Sequence, residues 1–124
     1  MARLILCGCL VVGLLGCATT SNERSTGSSL SEADTSAVEN GVRSALKGVD
    51  EPSFRGLRSA NSQDSGQTFV CGWVDHKKSN GALAGEQPFI GRLLAGQFTV
   101  GEVAHNQNDA AKIFSDCQSH GIAL

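Results

Sequence analysis

The chain has 124 residues, and 10 Lys or Arg against 12 Asp or Glu give a formal net charge of −2 at pH 7. That length predicts one domain with a modest hydrophobic core. The slightly acidic balance excludes the strongly basic surface that nucleic-acid binding requires, so no nucleic-acid partner is expected.

The first 16 residues have the form of a bacterial export signal. A positive segment ending at Arg3 precedes an apolar run from Leu4 to Leu15. A helix of that length spans about 18 Å, which is too short for the roughly 30 Å apolar layer of a bilayer. The run ends in Leu14-Leu15-Gly16-Cys17, which fits a lipobox except that Leu15 is bulkier than usual. We therefore predict a lipoprotein signal peptide over residues 1–16.

Cys17 is the predicted lipidation site and the first residue of the mature protein. Loss of residues 1–16, whose one charged side chain is Arg3, leaves 108 residues with a net charge of −3. Ala18 follows instead of Asp, and resemblance to sorted lipoproteins of Gram-negative bacteria implies the outer membrane over the inner one. The expected location is the cell envelope, with the N-terminal lipid in the membrane and the domain facing the periplasm. The alternatives are an ordinary secretory signal cut near Ala18 and an uncleaved anchor.

A polar segment from Ala18 to Leu30 follows. It consists mostly of Ser, Thr, Gly and Asn, with Glu23 and Arg24 as its charged residues. Such a composition buries too little apolar surface to order itself. Residues 17–30 are therefore predicted to be the lipidated cysteine and a flexible tether, whose thirteen linker residues span about 20 Å on average and about 43 Å at full stretch. Residues 31–124 are predicted to form a single small α+β domain.

The segment after Ser31 has a helical pattern. Ser31 and the acidic residues that follow it resemble an N-terminal capping box. Apolar residues then recur at helical spacing: Val38, Val42, Ala45, Leu46 and Val49. Gly48 and Pro52 are stop signals, so the helix is predicted from about Ser31 to Lys47. Gly41 costs about 1 kcal/mol relative to Ala and permits close packing.

Beyond Pro52 the apolar pattern becomes extended. Phe54 and Leu57 predict the beginning of a first strand, and Ser59 to Gly66 is predicted to be a polar turn. Thr68 to Asp75 is the clearest strand. In it, Phe69, Cys71 and Trp73 share one face and alternate with Val70, Gly72 and Val74 on the other.

The next pattern predicts a hairpin followed by a helix. Phe89 to Leu94 and Gln97 to Val103 read as two strands joined by a tight turn at Ala95-Gly96. Asn106 or Asn108 then caps a helix whose apolar stripe is Ala110, Ile113, Phe114 and Cys117, with an exit at His120-Gly121. The predicted fold class is α+β: an N-terminal helix, an antiparallel sheet of about four strands, and a C-terminal helix packed on one face and tied by a disulfide.

The cysteine count points to that disulfide. Cys7 and Cys9 lie in the predicted leader, and Cys17 is predicted to carry the lipid. Cys71 and Cys117 are then the remaining pair in an oxidising compartment. Their bridge would place the stripe of the last helix on the sheet face of Phe69 and Trp73. The alternative is a metal site that uses Cys71, Cys117, His76 and His120, although these spacings match no zinc arrangement.

The segment from Val42 to Cys117 resembles a group of small exported bacterial proteins of unassigned function. The residues that carry the resemblance are Val42 to Leu46-Lys47, Pro52-Ser53-Phe54, Cys71-Gly72-Trp73-Val74-Asp75-His76-Lys77, Asn80-Gly81, Gly85, Phe89-Ile90 and the late Cys117. The group has Cys-Gly-x-Val-Asn-x-Lys-Asn, so this chain departs from it at Asp75, at Lys78 and at Leu83, where an aromatic is usual. The resemblance implies the fold and the disulfide, and it implies no activity.

The loop from Asp75 to Glu86 is the candidate binding surface, because polar residues crowd the end of a strand and Gly81 and Gly85 permit close approach. Its candidate contact residues are Asp75, His76, Lys77, Lys78 and Asn80. The alternative is a solvated connection without a ligand. For Trp73, a place in the core is favoured over ligand stacking. His76, His105 and His120 are interpreted as isolated surface residues.

Catalysis is not predicted. An enzyme needs a nucleophile with a base and an orienting group, paired carboxylates or a metal cluster, and no such pattern occurs in the sequence. No catalytic residue, metal or cofactor is therefore assigned. The leading hypothesis is a lipid-anchored, non-catalytic binding or interaction module with an envelope protein or a small ligand as partner. The alternatives are a structural or stress-related lipoprotein without a ligand site, and a small inhibitor of an envelope hydrolase.

Overall fold

A computed structural model describes residues 27–47, 51–62, 64–77 and 85–124. Its elements are α1 (Glu32–Ala45), β1 (Ser53–Asn61), β2 (Thr68–Asp75), β3 (Gln87–Leu94), β4 (Gln97–Val103) and α2 (Gln107–Ser119). The strands form one antiparallel sheet in the order β1-β2-β3-β4. The predicted α+β class, with a four-stranded sheet between an N-terminal and a C-terminal helix, is confirmed. The predicted signal peptide and Cys17 lie outside the described residues.

Helix α1 begins as its capping pattern predicts. The Ser31 hydroxyl accepts a hydrogen bond from the backbone N–H of Asp34 at 3.1 Å, which satisfies one of the free donors of the first turn. Val38 and Val42 are fully buried. The helix ends at Ala45, two residues before the predicted end, with Leu46 as the C-cap. The predicted stop signal Gly48 lies outside the described residues.

Strand β1 is longer than the sequence predicts. The expected turn began at Ser59, but pairing with β2 continues to Asn61, which lies opposite Thr68. The predicted turn is therefore wrong for Ser59 to Asn61, because the small polar Ser59 is buried and its backbone pairs on both sides. The turn itself is closed by a hydrogen bond from the Ser62 N–H to the Gln67 carbonyl at 2.8 Å.

The two faces of the sheet carry two separate apolar cores. On one face α1 packs against a cluster made by alternate strand residues, among them Val70, Val74 and Phe89. On the opposite face α2 packs through Ile113 and Cys117 against a second cluster: Cys71, Ala104, Ile122 and the half-buried Ala60, Phe69 and Ile90. The period-two alternation of β2 thus supplies both faces of a sheet that has a helix on each side.

The predicted disulfide is present. Cys71 in the middle of β2 is bonded to Cys117 in the last part of α2, with 6.3 Å between their Cα atoms. Both residues are fully buried. The bond fixes α2 on the sheet face of Phe69 and Trp73, as the alternation predicts. The alternative metal site is wrong, because the two sulfurs that it required are bonded to each other.

Glycine is required both where α1 packs on β4 and in the turn between β3 and β4. A Cβ on Gly41 would lie 2.7 Å from Cδ1 of Phe98, so the glycine of α1 lets the helix approach β4. Ala95 and Gly96 join β3 and β4 with φ of 50° and 75°. Positive φ at both residues is the signature of a type I′ hairpin turn, which confirms the predicted hairpin.

The residues just before α1 are part of the folded domain. Ser28 pairs in antiparallel fashion with Ser59 through two backbone hydrogen bonds of 2.9 Å. Gly27 lies beside Arg58 and Ile122, and Leu30 packs on the α1 side of the sheet. The predicted tether, which extends to Leu30, is therefore too long. The residues around Leu30 in the sequence are polar and gave no sign of the apolar contacts that this side chain makes in the fold. We call residues 27–30 the strap.

The sheet has two distinct ends. The turn end carries the turn after Asn61 and the Ala95-Gly96 turn, while the loop end is where β2 finishes at Asp75 and β3 begins at Gln87. Since the strap runs antiparallel to β1, its first residue, Gly27, lies toward the turn end.

Within the described ranges, no helix has the length and apolar character needed to cross a membrane.

Candidate functional site

The loop end of the sheet is the surface that the sequence singles out. Asp75 ends β2, and His76 and Lys77 continue from it, so these three candidate residues lie together at this end. The other two candidates, Lys78 and Asn80, lie in 78–84, outside the described residues. The structure therefore locates the beginning of the predicted loop.

Asp75 and Lys77 have different surroundings. Asp75 is half-buried, and its Oδ1 is shielded from solvent with no hydrogen-bond partner in the described part of the chain. Lys77 is exposed, and its Nζ lies 3.8 Å from a carboxylate oxygen of Glu51. At that distance, with both side chains half or more exposed, this pair contributes little to folding. Lys77 is thus available to a partner at little energetic cost.

A tighter ion pair lies beside these residues, between Arg55 of β1 and Glu86 just before β3. Arg55 donates from Nε to Oε1 of Glu86 at 2.7 Å, and its Nη2 donates to the other carboxylate oxygen. The hydrogen bond from Arg55 holds the pKa of Glu86 below its ordinary value, and the same bond raises the pKa of Arg55. Because the contact is bidentate, it fixes the orientation of both side chains although both are exposed.

Trp73 connects this ion pair to the helix. The Arg55 guanidinium lies 5.3 Å from the centre of the Trp73 ring, and the ring of Phe114 lies 5.5 Å from it at a tilt of 53°. The half-buried indole is thus engaged by a cation from β1 and an aromatic ring from α2. This supports the interpretation of Trp73 as a packing residue and not as a free stacking surface.

A bulge in β1 sets the position of Arg55. The register of β1 against β2 shifts between Arg55 and Arg58, and Gly56 has a φ of 64°. A Cβ on Gly56 would lie 3.3 Å from Cδ1 of Trp73, tighter than most real contacts. Sequence reasoning missed Arg55 and Glu86. The signal that could have found Arg55 is its pairing with Trp73, but that pairing depends on a register and a bulge that local patterns do not specify.

The three histidines do not form one site. His105 is exposed before α2, in line with its interpretation as a surface residue, whereas His76 at the loop end is half-buried. His120 also differs from that interpretation: it is half-buried, and its ring stacks on Phe69 with centroids 3.5 Å apart and planes 13° apart. No group of three or more His, Cys, Asp or Glu side chains suited to a metal ion occurs among the residues that the structure describes.

Comparisons of the chain with protein-family models, with curated proteins and with solved structures return no match. The fold and the side-chain geometry are therefore the basis for any functional argument. The resemblance to small exported bacterial proteins stays a prediction.

Proposed function

We propose that the protein is a lipid-anchored envelope protein that acts as a non-catalytic interaction module, with Cys17 as the lipidated residue and the loop end as the surface offered to a partner. The anchor is proposed from the Leu14-Leu15-Gly16-Cys17 motif. The outer membrane is favoured as the location because Ala18 follows the cysteine.

The observation that carries the proposal is the position of the strap relative to the loop end. Gly27 lies toward the turn end, and a strand of eight residues is about 25 Å long. A lipid on Cys17 reaches Gly27 through ten residue steps, about 35 Å at full stretch. The loop end is thus the part of the sheet farther from the point where the tether joins the domain.

The side chains at the loop end suit a protein partner. Arg55, Glu86 and Trp73 form a surface held in place by a bidentate ion pair and ring contacts, while Lys77 has only a long, exposed contact with Glu51. A surface with prearranged side chains loses less side-chain freedom on association. Arg55 and Lys77, set against Asp75 and Glu86, give this surface charges of both signs without the strong positive field of a nucleic-acid site.

The anchor is tested separately from the surface. Cys17→Ser should release the protein from the membrane fraction of a Gram-negative host and change its apparent mass. Retention in the membrane at unchanged mass would contradict lipidation at Cys17.

The surface is tested by photo-crosslinking in intact cells. A photoreactive residue at position 77 is compared with one at position 64, an exposed site at the turn end. Adducts with one discrete envelope protein from position 77, reduced by Arg55→Glu and not by Asp64→Lys, support the interaction module. An adduct with an envelope hydrolase whose activity falls on binding would favour the inhibitor. Absence of discrete adducts from position 77 in a correctly folded protein would favour the structural lipoprotein.

A further inference from the structure

A groove lies on the α2 face of the sheet, away from the loop end. It has a volume of about 270 Å³ and is bounded by α2 on one side and by β3 and β4 on the other. Its lining comprises Phe69, Ile90, Gly91, Arg92, Gly101, Glu102, Asp116 and His120. The groove exists because α2 crosses the sheet without covering all of this face, so part of the face between the helix and the β4 edge stays open.

The floor of the groove is apolar. Phe69 and Ile90 both project from the α2 face and are half-buried against the second core. His120, which caps the end of α2, stacks flat on Phe69 and fixes that ring. Apolar surface of this kind binds the hydrocarbon part of a ligand.

The walls carry charges of both signs. Arg92 projects from β3 on the same face as Ile90, by strand alternation. Asp116 projects from α2, and Glu102 from β4. Glu102 is paired with Lys112, whereas neither Arg92 nor Asp116 makes an ion pair within 4.0 Å in the described ranges.

The charge of Asp116 is only partly offset by its neighbours. Lys112 on the same helix has its pKa raised chiefly by a hydrogen bond to Glu102, and the negative charge of Asp116 adds to that rise. The ammonium of Lys112 is therefore committed to Glu102, and Asp116 keeps free acceptor oxygens. Arg92 is exposed and keeps its donors.

We propose that this groove binds a small zwitterion with an apolar side chain, either a free amino acid or a dipeptide. Asp116 would accept hydrogen bonds from the ligand ammonium, Arg92 would donate to its carboxylate, and the side chain would lie on Phe69 and Ile90. The volume limits the ligand, because pockets for drug-sized molecules begin at about 300 Å³. This site is independent of the loop end, and its test does not depend on the proposed interaction module.

The test is calorimetry of the full chain in detergent with leucine, N-acetyl-leucine, leucinamide and alanyl-leucine as probes. Binding of leucine or alanyl-leucine, with loss of affinity when the amine is acetylated or the carboxylate is amidated, is the expected result. Leucine against alanyl-leucine distinguishes a free amino acid from a peptide. Absence of binding by both at millimolar concentration would overturn the proposal.

Substitutions in the groove test whether the ligand binds there. Arg92→Gln and Asp116→Asn should each weaken binding about tenfold or more, since each removes a hydrogen bond between charged groups. Arg43→Gln and Asp34→Asn, both on α1, are matched controls, because they remove the same charges on the opposite face of the sheet. Binding that survives both groove variants unchanged would overturn the assignment. Circular dichroism and a non-reducing gel establish that each variant keeps its fold and its disulfide.

Discussion

Cys71 and Cys117 join the middle of the sheet to the helix that covers it, across a sequence separation of 46 residues. In the chain-entropy description, a bridge of that span stabilises the folded state by about 4 kcal/mol. The Cys71→Ala/Cys117→Ala variant should therefore lose about that much free energy of unfolding, measured by urea titration. The reduced wild-type protein serves as the comparison and should show a similar loss. Equal midpoints for oxidised and reduced protein would show that the bridge contributes nothing.

Gly41 illustrates a conflict between helix propensity and packing. Alanine in a helix is favoured over glycine by about 1 kcal/mol, yet a Cβ here would lie 2.7 Å from the Phe98 ring and 3.0 Å from the Phe98 carbonyl oxygen. Overpacking of this kind costs about 1 to 3 kcal/mol. Gly41→Ala should therefore destabilise the protein by about 1 kcal/mol in urea unfolding. The control Ser36→Ala, at an exposed position of the same helix, should be neutral or stabilising; a gain at both positions would show that α1 tolerates the larger side chain.

Ala95 has a φ of 50° in the β3–β4 turn, where a type I′ turn favours Asn before Gly. Asn tolerates the left-handed region better than Ala. Ala95→Asn should raise the free energy of unfolding by about 0.5 to 1 kcal/mol, seen as a higher melting temperature. Gln97→Asn, in the extended strand that follows, should bring no gain. A decrease for Ala95→Asn would contradict the assigned turn.

The Arg55–Glu86 pair makes a prediction about pH. Because the hydrogen bond from Arg55 lowers the pKa of Glu86 in the folded state, the pair stabilises the fold above the unfolded pKa of Glu86. That contribution begins to decline as the pH falls below about 4.3, the ordinary pKa of glutamate, and is lost once the pH is below the lowered folded pKa. An NMR titration should give Glu86 a pKa below its ordinary value, and Arg55→Gln should return it to normal. An ordinary pKa in the wild-type protein would mean that the pair does not persist in solution.

The strap should protect one edge of the sheet. Ser28→Pro removes the N–H that bonds to the Ser59 carbonyl, a loss of about 0.5 to 1.5 kcal/mol. Amide hydrogen exchange at Ser59 should then become faster, since its own N–H bonds to Ser28. Ser29→Pro is the control, because the neighbouring N–H makes no backbone bond among the described residues. Unchanged exchange at Ser59 would argue against the bridge.

Local patterns predicted most of the fold. The period-two alternation of Thr68 to Asp75 and the helical stripe ending at Cys117 gave the two sheet faces and the disulfide between them. The capping residues Ser31 and Asn106 marked both helix starts, since a side-chain oxygen next to free backbone N–H groups has the same role wherever it occurs.

The parts that the sequence did not predict depend on long-range pairing. Ser59 looked like a turn residue because its partners, Ser28 and Val70, are distant in sequence. The Arg55–Glu86 pair depends on the β1 bulge, and the groove beside Arg92 depends on the path that α2 takes across the sheet. Register, bulges and helix placement are set by tertiary contacts. The local periodicity of apolar residues carries no information about those contacts.

The helix on each side of the sheet has a consequence for the fate of damaged molecules. A single proteolytic cut between α1 and β1 would free α1 and uncover the apolar sheet face beneath it, whereas a cut before α2 would leave that helix bonded to β2 through the Cys71–Cys117 disulfide. Exposed apolar faces of this size promote aggregation and recognition by quality-control proteases. A molecule clipped between α1 and β1 should therefore be cleared from the cell instead of persisting as a half-folded fragment.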